Sequence, residues 1–239
     1  MIIEIHGLAK VVEDILLFSD KLTKEFKPTH YSENEIMGDK SDNEISNIER
    51  FNSFRGANSL GYFLHSQNCM IDLSIDNGLA NVFIEVKRKI TAAKILSLLK
   101  VFAIEGVFYA ISMEWDEWRY RNGLVKEIGS STIENWIGRD FNSYLPGLYW
   151  ANLIAIPLLK KHGVDLSFLE SMITHYEVID NEFLFLQVYD SANEWQEYAP
   201  DLDEICESTD GIFSKWEIWD KLESIDDEDS YFKECRKYP

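Results

Sequence analysis

The tripeptide Asp76-Asn77-Gly78 constrains the fold of this chain more than any other short segment. It separates two runs rich in β-branched residues, Met70 to Ile75 and Asn81 to Lys87. Because Asn and Gly both tolerate positive φ, an Asn-Gly pair between such runs favours a tight β-hairpin. Every second residue of the first run is apolar, and we expect this set to face the core: Ile71, Leu73 and Ile75.

The segments around this hairpin predict an α+β fold. Further β-like runs occupy Ile2 to His6, Leu60 to His65 and Val107 to Trp115. Apolar residues at helical spacing predict one helix over Leu8 to Phe26 and another from Thr91, as N-cap, to about Ile104. The resulting order, β-α-β-β-β-α-β, is typical of an antiparallel sheet with helices packed on one face.

The second part of the chain predicts a further α+β half. A short helix is expected over Ser130 to Phe141, with Ser130 or Ser131 as N-cap. Two strands and three helical segments are expected after it, over Ile173 to Ile179, Glu182 to Tyr189, Asn193 to Tyr198, Leu202 to Ser208 and Phe213 to Leu222. We interpret the chain as two halves, 1–115 and 116–239, either separate or fused in one continuous domain. The polar stretch from Thr29 to Asn58 predicts a long loop.

Acidic residues are concentrated near the end of the sequence. The chain has 23 Lys and Arg against 42 Asp and Glu, a net charge of −19. From Glu177 to Pro239, 19 acidic residues stand against 5 basic ones, so this segment carries −14 of that charge. Phosphates of nucleic acids and anionic membranes attract Lys and Arg, so the charge argues against both as partners. It favours either a protein with a basic surface or a cation as the partner.

Large aromatic residues are interleaved with these acids. At protein interfaces aromatic side chains supply buried contact area, while carboxylates steer association and select the partner. The segment therefore predicts a partner-binding surface whose members are Trp195, Asp201, Asp203, Glu204, Trp216, Trp219, Asp226, Asp227, Glu228 and Asp229. The alternatives are tryptophans buried in the core and a solvated C-terminal tail.

Motifs for catalysis or metal binding are absent from the sequence. The five histidines and three cysteines lack metal-ligand spacing, and there is no CxxC. Asp201-Leu202-Asp203-Glu204 lacks the Gly and the terminal Glu of a calcium loop. We therefore predict no catalytic residue, metal or cofactor. We also predict a cytoplasmic protein, because neither a signal peptide nor a long apolar run is seen.

The segment Leu145-Pro146-Gly147-Leu148-Tyr149-Trp150-Ala151-Asn152, followed by Pro157 and Gly163, resembles a known family core. It is similar to the PG-x-YW-x-N … P … G pattern of bacterial immunity proteins, which protect cells against polymorphic toxins, including type VI secretion effectors. The resemblance implies a cytoplasmic, non-catalytic protein that binds and occludes a cognate toxin. It does not extend to the acidic segment, as suits a toxin-facing surface that differs between relatives.

The residues of this motif favour a structural role. Pro146-Gly147 predicts a turn, Tyr149 and Trp150 are expected on opposite faces, and Asn152 is expected to bond a neighbouring backbone. Two other functions stay open: an enzyme whose site has no sequence motif, and a general protein-binding adaptor. An enzyme would show turnover or a bound metal, and an adaptor would bind several partners weakly.

Overall fold

The computed structural model describes residues 1–36, 43–87, 90–173 and 175–239, and their fold is α+β, as predicted. Its elements follow in the order β1 (Ile2–Leu8), α1 (Ala9–Phe18), β2 (His30–Ser32), α2 (Ile48–Ala57), β3 (Gly61–His65), β4 (Cys69–Asp76), β5 (Leu79–Val86), α3 (Ala92–Val101), β6 (Val107–Met113), α4 (Trp115–Asn122), β7 (Gly123–Ile128), β8 (Ser131–Trp136), β9 (Ala151–Ala155), α5 (Ile156–Lys161), α6 (Leu166–Met172), β10 (His175–Ile179), β11 (Phe183–Gln187), α7 (Trp195–Glu207), α8 (Trp216–Glu223) and α9 (Glu228–Cys235).

Among the described residues, the main sheet has nine strands in the order β10-β11-β9-β6-β1-β5-β4-β3-β2. The hairpin predicted at Asn77-Gly78 is confirmed: β4 and β5 pair antiparallel, and the two turn residues have φ of 49° and 79°. Positive φ at both positions matches the right-handed twist of the flanking strands. Ile71 and Leu73 are fully buried as predicted, whereas Ile75 is half-buried.

The chain divides into two compact units. The first comprises Met1–Ser112, Asn152–Ala155 and Val178–Phe185, and therefore takes in two segments from late in the sequence. The second is formed by the remaining segments, Met113–Ala151, Ile156–Glu177 and Leu186–Pro239. The division of the chain into halves 1–115 and 116–239 remains a prediction.

None of the described helices has the length and apolarity that a membrane-spanning segment requires.

Two predictions in the first unit were wrong. The helix expected over Leu8 to Phe26 ends at Phe18, because Ser19 adopts an extended conformation with φ −68° and ψ 128°. The apolar pattern extends to Phe26 because the side chain of Phe26 is buried in the core, although this residue lies in a turn and not in a helix. The expected loop from Thr29 to Asn58 contains β2 and α2; its residues 37–42, which include the loop formers Gly38, Asp39 and Asp42, lie outside the described residues. Helix α2 was not predicted, because its one buried residue, Phe51, does not by itself produce a helical pattern of apolar residues.

Two predictions in the second unit were also wrong. The segment expected to begin a helix at Ser130 or Ser131 forms β8, which pairs antiparallel with β7 around a turn at Gly129, where φ is 63°. β-branched residues such as Ile133, which is buried, favour the strand. The two helical segments expected at Asn193 to Tyr198 and Leu202 to Ser208 are one helix, α7, which continues through Pro200.

The end of the chain is packed against the second unit. Tyr231 and Cys235 of α9 are buried in an apolar cluster with Leu124 and Ile133. The carbonyl oxygen of Pro239 accepts hydrogen bonds from the backbone N–H groups of residues 139 and 140, at 2.6 and 2.7 Å. Residues 228–235 are therefore a packed helix and not a solvated tail.

Candidate protein-binding surface

The carboxylate of Asp203, on α7, is the point at which three helices of the second unit meet. Arg121 of α4 donates from Nη1 to Oδ1 at 2.8 Å. The Tyr120 hydroxyl, also on α4, donates to Oδ2 at 2.7 Å, and Nε1 of Trp216, on α8, donates to the same oxygen at 2.9 Å. Because the acceptor is charged, these are stronger than neutral hydrogen bonds, and they fix the relative position of the three helices.

A second carboxylate lies deeper in the same network. Glu117 is fully buried, and its Oε1 is 3.4 Å from Nε of Arg121 one helical turn away. Burial raises the pKa of Glu117 to about 7, against the opposing effect of the Arg121 charge. Burial alone would lower the pKa of Arg121, but the charges of Glu117 and Asp203 help to raise it, so the guanidinium stays charged.

Little space is left beside these groups. Arg121, Asp203, Cys206 and Lys215 contribute to the lining of a cavity of about 10 Å³, room for about one water molecule. Burial raises the pKa of the Cys206 thiol to about 11, so the thiol stays protonated at neutral pH. The arrangement therefore suits a structural ion network rather than a site that holds an organic substrate.

Aromatic rings surround the outer side of the network. The centroid of the Tyr120 ring is 5.3 Å from that of Trp195 and 5.8 Å from that of Trp216, which is itself 5.5 Å from Trp219. We call these four residues the aromatic cluster. The ammonium of Lys215 lies over three of its rings, 4.8 Å from the Tyr120 centroid. Burial lowers the pKa of Lys215 to about 8.

The structure thus brings together the three predicted tryptophan anchors, and each of them is half-buried. Next to them on α7, the predicted acids Asp201 and Glu204 are exposed, whereas the carboxylate of Asp203 is engaged by α4 and α8. We call the aromatic cluster with Asp201, Asp203 and Glu204 the acidic aromatic surface. Half-buried aromatic rings beside exposed carboxylates are the composition of an interface hot spot with a charged rim.

The other four predicted acids lie at the start of α9. Asp226, Asp227, Glu228 and Asp229 are all exposed. Asp227 is the N-cap, and its side chain accepts from the backbone N–H of Ser230 at 2.9 Å. Glu228 and Asp229 lie in the first turn, where negative charge is favoured by the helix dipole. These acids therefore support the helix as well as presenting charge.

The residues of the Pro146 to Asn152 motif are buried. The carbonyl oxygen of Pro146 accepts from Nδ2 of Asn122 at 3.1 Å, and the Tyr149 hydroxyl donates to Oδ1 of the same asparagine. Nε1 of Trp150 donates to the backbone oxygen of Tyr189 at 3.0 Å. Gly147 has a φ of 120°, which favours glycine. These contacts hold the motif in the interior, so its residues are not part of the acidic aromatic surface.

Sequence reasoning missed several residues that build this region, above all Tyr120, Arg121 and Lys215. Their partners lie far along the chain; Arg121 and Asp203 are separated by 82 positions, so no local pattern links them. A second aromatic group was missed as well. The rings of Trp115 and Trp118 are 5.0 Å apart, a spacing that an i, i+3 pair on a helix would have indicated.

Within the described ranges, no group of three or more His, Cys, Asp or Glu side chains is placed to hold a metal ion. Comparisons with protein-family models, with curated proteins and with solved structures each found no match for this chain.

Proposed function

We propose that this chain is an immunity protein, which binds a cognate bacterial toxin in the cytoplasm and neutralises it by occlusion. One observation carries the proposal: Trp195, Trp216 and Trp219 converge in one half-buried cluster, flanked by exposed acids. The motif from Pro146 to Gly163, which resembles the core of immunity proteins, supports it independently.

The surface is suited to hold a partner tightly. The buried pairing of Arg121 with Asp203 fixes α4, α7 and α8, so the rings are ordered before the partner arrives. Preorganisation reduces the entropy that binding would otherwise lose. Tryptophan and tyrosine are also the residue types that dominate measured binding hot spots.

Charge would guide the encounter. The segment that contains α7, α8 and α9 supplies most of the net charge of −19. A toxin that acts on nucleic acid has a groove lined by Lys and Arg, and a carboxylate-rich surface matches the phosphates such a groove is built to bind. A nuclease toxin is therefore the partner class that this chain fits best.

The test is capture of the partner followed by a neutralisation assay. The tagged protein is incubated with extract of its native bacterium at low salt and washed at high salt. We expect one retained protein that kills cells when produced alone and is harmless when produced with this chain. A set of partners lost in the salt wash would favour an adaptor. Retention of a protein that stays toxic in the presence of this chain would contradict the proposal.

A further inference from the structure

The second unit contains a half-open cavity that is separate from the acidic aromatic surface. Its volume is about 290 Å³, at the lower end of the range for ligand pockets and large enough for one long side chain. The buried side chains of Ile212, Phe213 and Ile218 line it. Tyr144 and Tyr238 are half-buried and complete the aromatic part of the wall.

The charged groups that line this cavity are all of one sign. Glu207, the last residue of α7, and Asp210, in the turn that follows, are both exposed, so their carboxylates lie at the rim. No Lys, Arg or His is among the described residues that line the cavity. Lys237, next to Tyr238 in the sequence, is paired with Glu234 at 2.6 Å. The cavity therefore combines apolar and aromatic side chains, and the hydroxyls of Ser143 and Thr209, with two carboxylates that no described lining cation neutralises.

The backbone at the rim is held in place. The carbonyl oxygen of Gly211 accepts from the backbone N–H of Leu145 at 2.8 Å, and that of Leu145 accepts from the N–H of Phe213 at 2.7 Å. Gly211 has a φ of 79°, and a Cβ at this position would collide with the carbonyl oxygen of His162. Only glycine fits there, so the turn that carries Asp210 has a fixed shape.

We propose that this cavity receives an arginine side chain of the protein partner. The methylene stem of arginine suits the apolar part of the wall, formed by Ile212, Phe213 and Ile218, and its planar guanidinium packs on aromatic faces. Its N–H groups are donors for the carboxylates of Glu207 and Asp210. A hard metal ion suits the cavity poorly, because Ca²⁺ takes six to eight oxygen ligands and Mg²⁺ takes six, whereas the described lining contributes two carboxylates, both at the rim. That the arginine belongs to a toxin rests on the proposed function.

The first test needs no partner protein. The full chain, labelled with ¹⁵N, is titrated to millimolar concentration with N-acetylarginine N-methylamide, with its uncharged citrulline counterpart and with its lysine counterpart. We expect the arginine compound to shift the backbone amide signals of residues 207–213 most, the lysine compound to bind more weakly, and the citrulline compound to leave these signals in place. Equal binding of citrulline or lysine, or no shift in 207–213, would overturn the proposal.

Matched variants locate the interaction. Glu207→Gln with Asp210→Asn removes both rim charges and should weaken arginine binding at least about tenfold, because charge-assisted hydrogen bonds become neutral ones. Glu194→Gln with Glu197→Gln removes two exposed acids at the start of α7, outside both the cavity and the acidic aromatic surface, and should leave binding unchanged. Equal loss in both double variants would assign the effect to net charge and overturn the proposal.

Failure of this inference and failure of the proposed function give different results. If the arginine compound binds at 207–213 but the captured partner stays toxic beside this chain, the cavity is an arginine site and the immunity function is wrong. If the partner is neutralised but the arginine compound does not bind, the immunity function holds and the cavity has another role. In a neutralised complex, we expect the rim variant Glu207→Gln with Asp210→Asn to dissociate faster.

Discussion

Arg121 and Asp203 form a salt bridge at 2.8 Å, although they lie on different helices and 82 positions apart in the sequence. The side chain of Arg121 is 5 % exposed and that of Asp203 is 15 % exposed, so water screens the pair only weakly. Removal of Asp203 leaves the buried charge of Arg121 with the longer, 3.4 Å contact to Glu117, so this salt bridge should control both the stability of the second unit and the order of the aromatic cluster.

The first prediction concerns this salt bridge. Asp203→Ala should lower the free energy of unfolding by about 3 kcal/mol, because Arg121 stays charged and buried while Tyr120 and Trp216 lose their acceptor. Urea unfolding followed by tryptophan fluorescence measures the change. Asp201→Ala, at an exposed position of the same helix, should change it by less than about 0.5 kcal/mol. Equal effects of the two variants would show that the ion network contributes nothing specific.

The second prediction concerns pH. The pKa of Glu117 is raised from 4.5 to about 7, mainly by burial, so the folded state holds a proton that the unfolded state releases. The stability from this proton is fully present below pH 4.5 and is lost as the pH rises through 7. The difference in unfolding free energy between the native chain and Glu117→Gln should therefore fall by about 3 kcal/mol between pH 4.5 and 8. A difference that stays constant over this range would contradict the raised pKa.

The Arg121–Asp203 salt bridge and the buried Glu117 show how much of the site the sequence predicts. Local signals identified the hairpin at Asn77-Gly78, the helix start after Thr91 and the acidic, aromatic end, because each depends on neighbours in sequence. The ion network could not be predicted in the same way. Its members are ordinary charged residues, and their roles come from tertiary packing that buries Glu117 and Arg121 together.

Local propensity also misled in one informative case. The serines before Ile133 resemble a helix N-cap, yet the segment is a strand, because Gly129 closes a turn and β7 supplies a partner for pairing. The strand carries Trp136, whose ring centroid is 3.9 Å from that of Trp118. The contribution of Trp136 to that second aromatic group therefore cannot be predicted from a helical pattern, unlike the pair of Trp115 and Trp118.

The third prediction concerns the N-cap of α9. Asp227→Ala should lower the urea midpoint, because the backbone N–H of Ser230 loses its acceptor, whereas Asp227→Asn should retain most of the stability. Asp226→Ala is the control, since Asp226 is exposed and precedes the cap. If both alanine variants unfold at the same midpoint, the acids at the start of α9 have no capping role.

The fourth prediction compares the two aromatic groups. Trp195→Ala should weaken binding of the captured partner by about 2 kcal/mol, the size of a hot-spot effect, while Trp115→Ala should leave affinity nearly unchanged. Trp115 is a demanding control because it is 45 % exposed and also packs against another tryptophan. Calorimetric titration measures both affinities, and far-UV circular dichroism checks the fold. A larger loss with Trp115→Ala would move the interface to the other face of α4.

The last prediction separates local from global electrostatics. Asp201, Glu204 and Asp226 are exposed, and Asp227 rather than Asp226 caps α9, so all three can be reversed to Lys without removing the cap. Association with the partner should slow at least about tenfold at low salt and depend less on salt, because oppositely charged surfaces accelerate encounter.

The matched control reverses three exposed acids of the first unit, Asp14, Asp76 and Glu105, which changes the net charge of −19 by the same amount. Stopped-flow association over a range of salt concentrations compares the two triple variants. An attraction local to the acidic aromatic surface predicts that the control slows association much less, because exposed charges act mainly within the Debye length, about 8 Å at physiological salt. Equal slowing by both variants would assign the attraction to net charge alone and would remove Asp201, Glu204 and Asp226 from the interface.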